Sequence, residues 1–146
     1  MSKAHLTAIA RKAISAPAQW LLKQGLIKSG HGLDYGCGRG FDADELGFDK
    51  YDPHYVPEYP SGEYEQVICF YVVNVIEDSK ERIELLNNIK DLLTSTGAAY
   101  IAIRRDVKKP GLTSRGTWQD NVVLPLKSIR KTSTYEIYEL KKEEVK

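Results

Sequence analysis

The sequence predicts an α/β domain built on a mainly parallel sheet, with helices on both faces and an antiparallel strand pair at its C-terminal end. Three observations lead there. Short β-rich runs alternate with helical spacings along the chain, residues 66–73 are apolar without alternation, and a glycine-rich turn joins the first strand to the following helix. A continuous apolar run is how a strand covered on both faces reads, and strand–helix alternation is what parallel neighbours require of their connections. At 146 residues, 42% hydrophobic and 28% charged, the chain has the size and composition of a single domain over 1–146.

Residues 1–30 are expected to form two short helices. In the first, Leu6, Ile9, Ala10, Ala13 and Ile14 recur at helical spacing over 4–14; in the second, Ser15 and Pro17 supply the cap and first turn of a helix running to Gly25. The first strand covers about Gly32–Tyr35 and enters Gly36-Cys37-Gly38-Arg39-Gly40. A brief helix, Phe41–Leu46, and a second strand ending at Asp52 come next. Three prolines and Gly62 make 53–63 a loop. After the central strand at 66–73, Ser79 caps a helix whose apolar positions are Ile83, Leu86, Ile89 and Leu93, with Gly97 at its end. Ala98–Arg104 reads as another buried strand, and Val122–Leu126 with Tyr135–Leu140 as the antiparallel pair.

No apolar run approaches the roughly 20 residues that span a bilayer, and the first residues lack the apolar core of a secretory signal, so the expected location is the cytoplasm. Cys37 and Cys69 read as free thiols. His5, His31 and His54 are scattered without ligand spacing, so no metal site is expected. The net charge of +1 conceals segregation: residues 1–30 carry five basic and no acidic side chains, 31–103 carry five and fourteen, and 104–131 carry eight and two. The basic cluster Arg104, Arg105, Lys108, Lys109 and Arg115 follows a strand whose carboxyl end faces the expected site, which permits an anionic substrate such as DNA or RNA. Solvated surface charge is the plain alternative.

Ligands of open α/β sheets bind at the carboxyl ends of the strands, where strand order reverses. Gly36, Gly38 and Gly40 let the backbone turn tightly and approach a ligand, and Asp52, at the end of the next strand, is placed to accept hydrogen bonds from ribose hydroxyls. The spacing is Gly-x-Gly-x-Gly, not the Gly-x-Gly-x-x-Gly of nicotinamide-binding folds, which leaves a nicotinamide oxidoreductase as a distant alternative.

The run Asp34-Tyr35-Gly36-Cys37-Gly38-Arg39-Gly40 closely resembles the first motif of class I S-adenosylmethionine-dependent methyltransferases. A longer resemblance, to methyltransferases associated with DNA phosphorothioation systems, rests on Arg11, Ser15 and Pro17, on Leu33–Gly40, on Asp52-Pro53-His54-Tyr55, on Cys69–Ile76, on Arg104-Arg105-Asp106 and on Gly116-Thr117-Trp118-Gln119. The resemblance implies a Rossmann-like methyltransferase fold, shortened from the full seven-stranded form, and S-adenosylmethionine as cofactor. The cofactor-binding set it implies is Asp34, Tyr35, Gly36, Cys37, Gly38, Gly40, Asp52, Pro53, Phe70 and Tyr71. Asp34 and the glycine backbone would hold the methionine part, Asp52 the ribose, and Phe70 and Tyr71 the walls. Asn74 would face the methyl group as the catalytic residue. The plain alternatives are a loop-fixing role for Asp34, core packing for Phe70 and Tyr71, and a turn at Asn74.

Only eleven residues separate Gly40 from Asp52, against about 20 from the glycines to the acid in dinucleotide folds. The stretch from Asp52 to Val67 holds a loop but barely another strand–helix pair, so the region that ordinarily cups the adenine is abbreviated. The acceptor is not specified. The Asp/Asn-Pro-Pro-aromatic tetrapeptide of exocyclic-amine DNA methyltransferases is replaced by Asn74-Val75-Ile76-Glu77, and neither cysteine follows a proline as a carbon-5 cytosine enzyme requires. Two classes stand: methyl transfer to an unidentified acceptor, nucleic acid among those allowed, and a non-catalytic module that senses S-adenosylmethionine or binds nucleic acid.

Overall fold

The computed structural model describes residues 13–107, 111–112, 118–119 and 121–142. Its helices are α1 (Ala16–Lys23), α2 (Phe41–Leu46) and α3 (Ser79–Asp91), with a 3-10 turn at Val73–Val75. The strands are β1 (Leu33–Tyr35), β2 (Asp49–Tyr51), β3 (Tyr64–Phe70), β4 (Leu93–Arg104), β5 (Gly111–Leu112), β6 (Trp118–Gln119), β7 (Lys127–Lys131) and β8 (Tyr135–Lys141). Six of them form one sheet in the order β2-β1-β3-β4-β8-β7; β5 and β6 form a separate antiparallel ribbon. The pairs β2–β1, β1–β3 and β3–β4 are parallel, whereas β8 runs antiparallel to both β4 and β7. The α/β class, the mainly parallel sheet and the antiparallel C-terminal pair are as expected. Strand order reverses between β1 and β3, which sets a crevice at their carboxyl ends.

Side chains alternate across β3, so Ile68 faces one layer while Val67 and Cys69 face the other. On the first face Leu21 and Ile27, in and just after α1, and Ala43 and Leu46 of α2 pack with Ile68, Tyr100 and Ile137. On the second, Leu85, Leu86 and Ile89 of α3 pack against Leu33, Val67 and Ile101. Ser15 caps α1 as expected, its hydroxyl accepting from the Ala18 N–H at 3.4 Å. That helix stops at Lys23, short of Gly25. The expected helix over 4–14 lies outside the described residues up to Lys12. No described helix is long and apolar enough to cross a membrane.

Several expected elements are corrected. The central strand ends at Phe70, because Tyr71 takes φ 63° and residues 73–75 wind into the 3-10 turn. The helix after Asp78 ends at Asp91, not near Gly97, and its cap is Asp78, whose carboxylate accepts from the Lys80 N–H at 2.9 Å. Leu93 pairs with Tyr64 across the sheet, and Gly97 lies inside β4, where an added Cβ would sit 2.7 Å from the Tyr64 carbonyl oxygen. That glycine serves a close strand approach. Ile83 is 47% exposed; the inward stripe of α3 is Leu85, Leu86 and Ile89. Val122–Leu126 is not a strand. Val122 and Leu124 point into the core while Val123 is 85% exposed, and the partner of β8 is the polar edge strand β7. Burial, not ladder pairing, produced the apolar signal there.

Candidate functional site

The glycine turn is tied to the end of β2. Gly36 and Cys37 both donate their N–H to the Tyr51 carbonyl, at 2.7 and 2.9 Å, and Gly40 closes the turn by donating to the Cys37 carbonyl at 3.0 Å. Gly36, Gly38 and Gly40 all have positive φ, at 87°, 58° and 87°. At Gly36 the requirement is also steric, since an added Cβ would lie 2.4 Å from Val72 Cγ2.

Three carboxylates surround this turn. Asp34, on β1, is 4% exposed; burial first, then Asp42 and Asp52, push its carboxyl well above the usual carboxylate range. Among the described residues no hydrogen bond to its side chain offsets this. Asp42, in the first turn of α2, accepts the Ser15 N–H at 2.9 Å and the Ser15 hydroxyl at 2.6 Å, joining the cap of α1 to the glycine turn. Asp52 accepts the Gly38 N–H on one oxygen at 2.8 Å, and the His54 and Tyr55 N–H groups on the other at 2.9 and 3.1 Å. The expected ribose ligand is thus already a brace for the glycine turn, with an acceptor site remaining on the oxygen that takes the Gly38 N–H. Burial, followed by Asp34 and Asp52, pushes the Cys37 thiol up to about 12.

Beside the turn lies a cavity of about 230 Å³. Tyr35, Gly36, Tyr51, Pro53 and Val72 line one side, and Glu81, Glu84, Leu85 and Asn88 of α3 line the other. Tyr35 and Tyr51 pack with ring centroids 4.9 Å apart, and Tyr59 meets both edge-on, with its hydroxyl 3.3 Å from that of Tyr35. Burial and the Tyr59 contact raise the Tyr35 phenol. The three tyrosines pack together at the ends of β1 and β2.

Of the expected site residues, Asp34, Tyr35, the glycines, Asp52 and Pro53 come together here. Phe70 packs instead with the α1/α2 layer. Tyr71 is the one non-glycine among the described residues with positive φ, and strained backbone of this kind collects at functional sites. Asn74 is 1% exposed, and among the described residues both polar atoms of its amide lack a hydrogen-bond partner. The β6 backbone lies against the turn that carries it. At the end of β4, Arg104 pairs with Asp106 at 2.9 Å and Arg105 donates to the Thr132 carbonyl. Lys108, Lys109 and Arg115 lie outside the described residues. Among the described residues no group of three metal-ligating side chains occurs.

Sequence reasoning missed Asp42 and the polar stripe of α3. Asp42 falls in a first helical turn, where an acidic residue reads as ordinary dipole compensation. Glu81, Glu84 and Asn88 read as solvent face; their one sequence signal is the missing adenine-side segment.

No protein-family model and no curated protein matches the chain. Solved structures do. A 1,6-didemethyltoxoflavin-N1-methyltransferase from Burkholderia thailandensis, with bound 1,6-didemethyltoxoflavin and S-adenosylhomocysteine, is similar at TM-score 0.65 and 15% identity over 85% of this chain and 76% of that one. The N-methyltransferase NodS from Bradyrhizobium japonicum, in complex with S-adenosylhomocysteine, gives 0.57 and 11% over 88% and 86%. A TehB-like SAM-dependent methyltransferase from Corynebacterium glutamicum gives 0.56 and 16% over 90% and 89%. The chain has the Rossmann-like fold of S-adenosylmethionine-dependent methyltransferases.

Proposed function

We propose that this protein binds S-adenosylmethionine at the glycine turn and transfers its methyl group to an acceptor. One observation carries the reading. At the reversal point of the sheet, a buried acid without an offsetting hydrogen bond, a turn that tolerates no side chain at Gly36, and a second acid at the end of β2 converge beside a cavity. The residues fit the cofactor: the ammonium of its methionine part would draw Asp34, which burial otherwise holds toward its neutral form, into its charged form, the Gly36–Gly40 backbone admits close approach, and Asp52 and Pro53 stand at the ribose side.

When bound, the cofactor supplies an activated methyl on a positively charged sulfur. The protein's part is alignment, which can contribute on the order of 7–11 kcal/mol without an acid–base pair. Asp34 and the glycine backbone fix the methionine end, the wall at Val72 excludes water, and Asn74, on the buried turn just after that wall, is the residue assigned to face the methyl group. Its amide offers both a donor and an acceptor of hydrogen bonds. The likeness to phosphorothioation-associated methyltransferases supports the cofactor and the reaction more than the acceptor; the basic residues of the late segment are what allows an anionic acceptor such as nucleic acid.

Calorimetric titration with S-adenosylmethionine and S-adenosylhomocysteine, beside Asp34→Ala and Asp52→Ala, tests the site. Micromolar binding that weakens at least about tenfold in both variants supports it. No binding to the folded wild type overturns it. A binder that yields no S-adenosylhomocysteine with any nucleic acid, protein or small-molecule acceptor is the non-catalytic sensing module.

A further inference from the structure

We propose that α3 reads the adenine of the cofactor, taking over a task that the shortened segment after Asp52 leaves undone. The inference rests on the proposed function and deepens it by naming the residues that select the nucleobase.

The argument starts from chain length. Between Asp52 and Tyr64 the described chain is a loop closed by the Asp52–Val56 bridge, with no strand or helix of its own. With nothing interposed, α3 faces the ends of β1 and β2 directly across the cavity. The two walls differ in kind. Tyr35, Tyr51, Pro53 and Val72 present aromatic and aliphatic surface, suited to the face of a flat ring. Opposite them, Glu81, Glu84, Leu85 and Asn88 follow the i, i+3, i+4, i+7 spacing of one helical stripe, so carboxylates and an amide flank a single apolar contact.

The polar groups restrict what the ring can carry. A carboxylate only accepts hydrogen bonds, whereas an amide both donates and accepts. The matching edge has an exocyclic amine beside a ring nitrogen, which is the edge of a 6-aminopurine. A 6-oxopurine turns an oxygen toward Glu84 and is disfavoured. The same cavity contains Gly36 and Pro53, so a ligand seated on the glycine turn has its base within reach of α3.

The test titrates the full chain with S-adenosylhomocysteine and with S-inosylhomocysteine, its 6-oxo counterpart. Wild type, Glu84→Gln, Asn88→Ala and Asp52→Ala are compared. Glu84 and Asn88 are exposed, so their variants keep the fold. The wild type is expected to prefer the adenosyl ligand about tenfold, the lower end for a charge-assisted hydrogen bond at an open rim. Glu84→Gln should narrow that preference to about threefold or less, because its amide also donates to the 6-oxo group, and Asn88→Ala should narrow it as well. Asp52→Ala should weaken both ligands and leave their ratio unchanged. A ratio unaltered in both α3 variants, with both ligands still bound, overturns the inference and spares the proposed function. Failure of the wild type to bind either ligand overturns both.

Discussion

Gly36→Ala is the sharpest perturbation of the glycine turn, because its effect separates into two parts. With φ at 87°, an alanine bears a left-handed backbone penalty of about 1.5 kcal/mol. Its methyl would also stand 2.4 Å from Val72 Cγ2, far inside contact distance, which adds about 1.5 kcal/mol after partial relaxation. The sum, about 3 kcal/mol, corresponds to a fall of about 10 °C in Tm for a chain of 146 residues. Val72→Ala alone removes two methyl groups and costs about 1.5 kcal/mol. It also removes the clash, since the next atom, Val72 Cβ, is 3.5 Å from the new methyl, an ordinary contact. The double variant should therefore lose about 3 kcal/mol instead of the additive 4.5. Thermal and urea denaturation of the four proteins measure this coupling of about 1.5 kcal/mol. Additivity within about 0.5 kcal/mol would refute the claim that the turn and the Val72 wall touch.

Asp34→Asn should stabilise the free protein at neutral pH while removing ligand binding. The native state keeps the Asp34 proton when the unfolded chain, with an ordinary carboxyl, releases it from about pH 4 upward, so native stability declines as pH rises from there through the raised folded value. Melts from pH 3 to 8 should show wild type and variant equal at the acid end and the variant higher at pH 7. Asn74→Leu replaces an unpaired buried amide with an apolar group of similar size, and should raise urea stability by about 1–3 kcal/mol while abolishing turnover; a loss of stability would mean the amide is paired. Cys37, its thiol pushed up to about 12, should react with iodoacetamide at pH 8 more than a hundredfold slower than glutathione, as followed by mass spectrometry. Labelling at the glutathione rate would contradict the burial and the acidic surroundings found for the thiol at the turn.

The parts legible in the sequence were those where one physical cause acts alone. α2 carries the bounds expected, between the left-handed Gly40 and Gly47, and β1 and β2 lie within a residue of their expected positions. The glycine turn and Asp52 were visible because conformational freedom and a carboxylate at a strand end leave a local signature. What failed to show was tertiary. The start of β4 was hidden because Leu93 continues the helical spacing of α3, and only its pairing with Tyr64 reveals the strand. The Glu65 carboxylate, accepting from the Thr94 and Thr96 hydroxyls at 2.7 and 2.9 Å, holds the irregular register there through contacts 29 and 31 residues apart. β7 was missed because an edge strand needs little apolar surface, while Val122 and Leu124 are apolar for reasons of burial alone.

The bridge between Asp52 and Val56 bears on how such a domain changes length. Their N–H and carbonyl groups exchange hydrogen bonds at 3.0 and 2.9 Å, and the Asp52 side chain grips the same short hairpin. Everything that positions the second acid is therefore complete by Val56. The chain from there to Tyr64 is exposed except at Pro60, touches β1 and β2 through the Tyr59 ring, and rejoins the sheet as a strand at β3. Lengthening that stretch adds little closure entropy, since each doubling of a loop adds only about 0.6 kcal/mol. An added strand and helix could be spliced in there, or deleted, with the glycine turn held as it is. The outer edge of the sheet is built to accommodate added or removed chain while the chemistry beside it stays put.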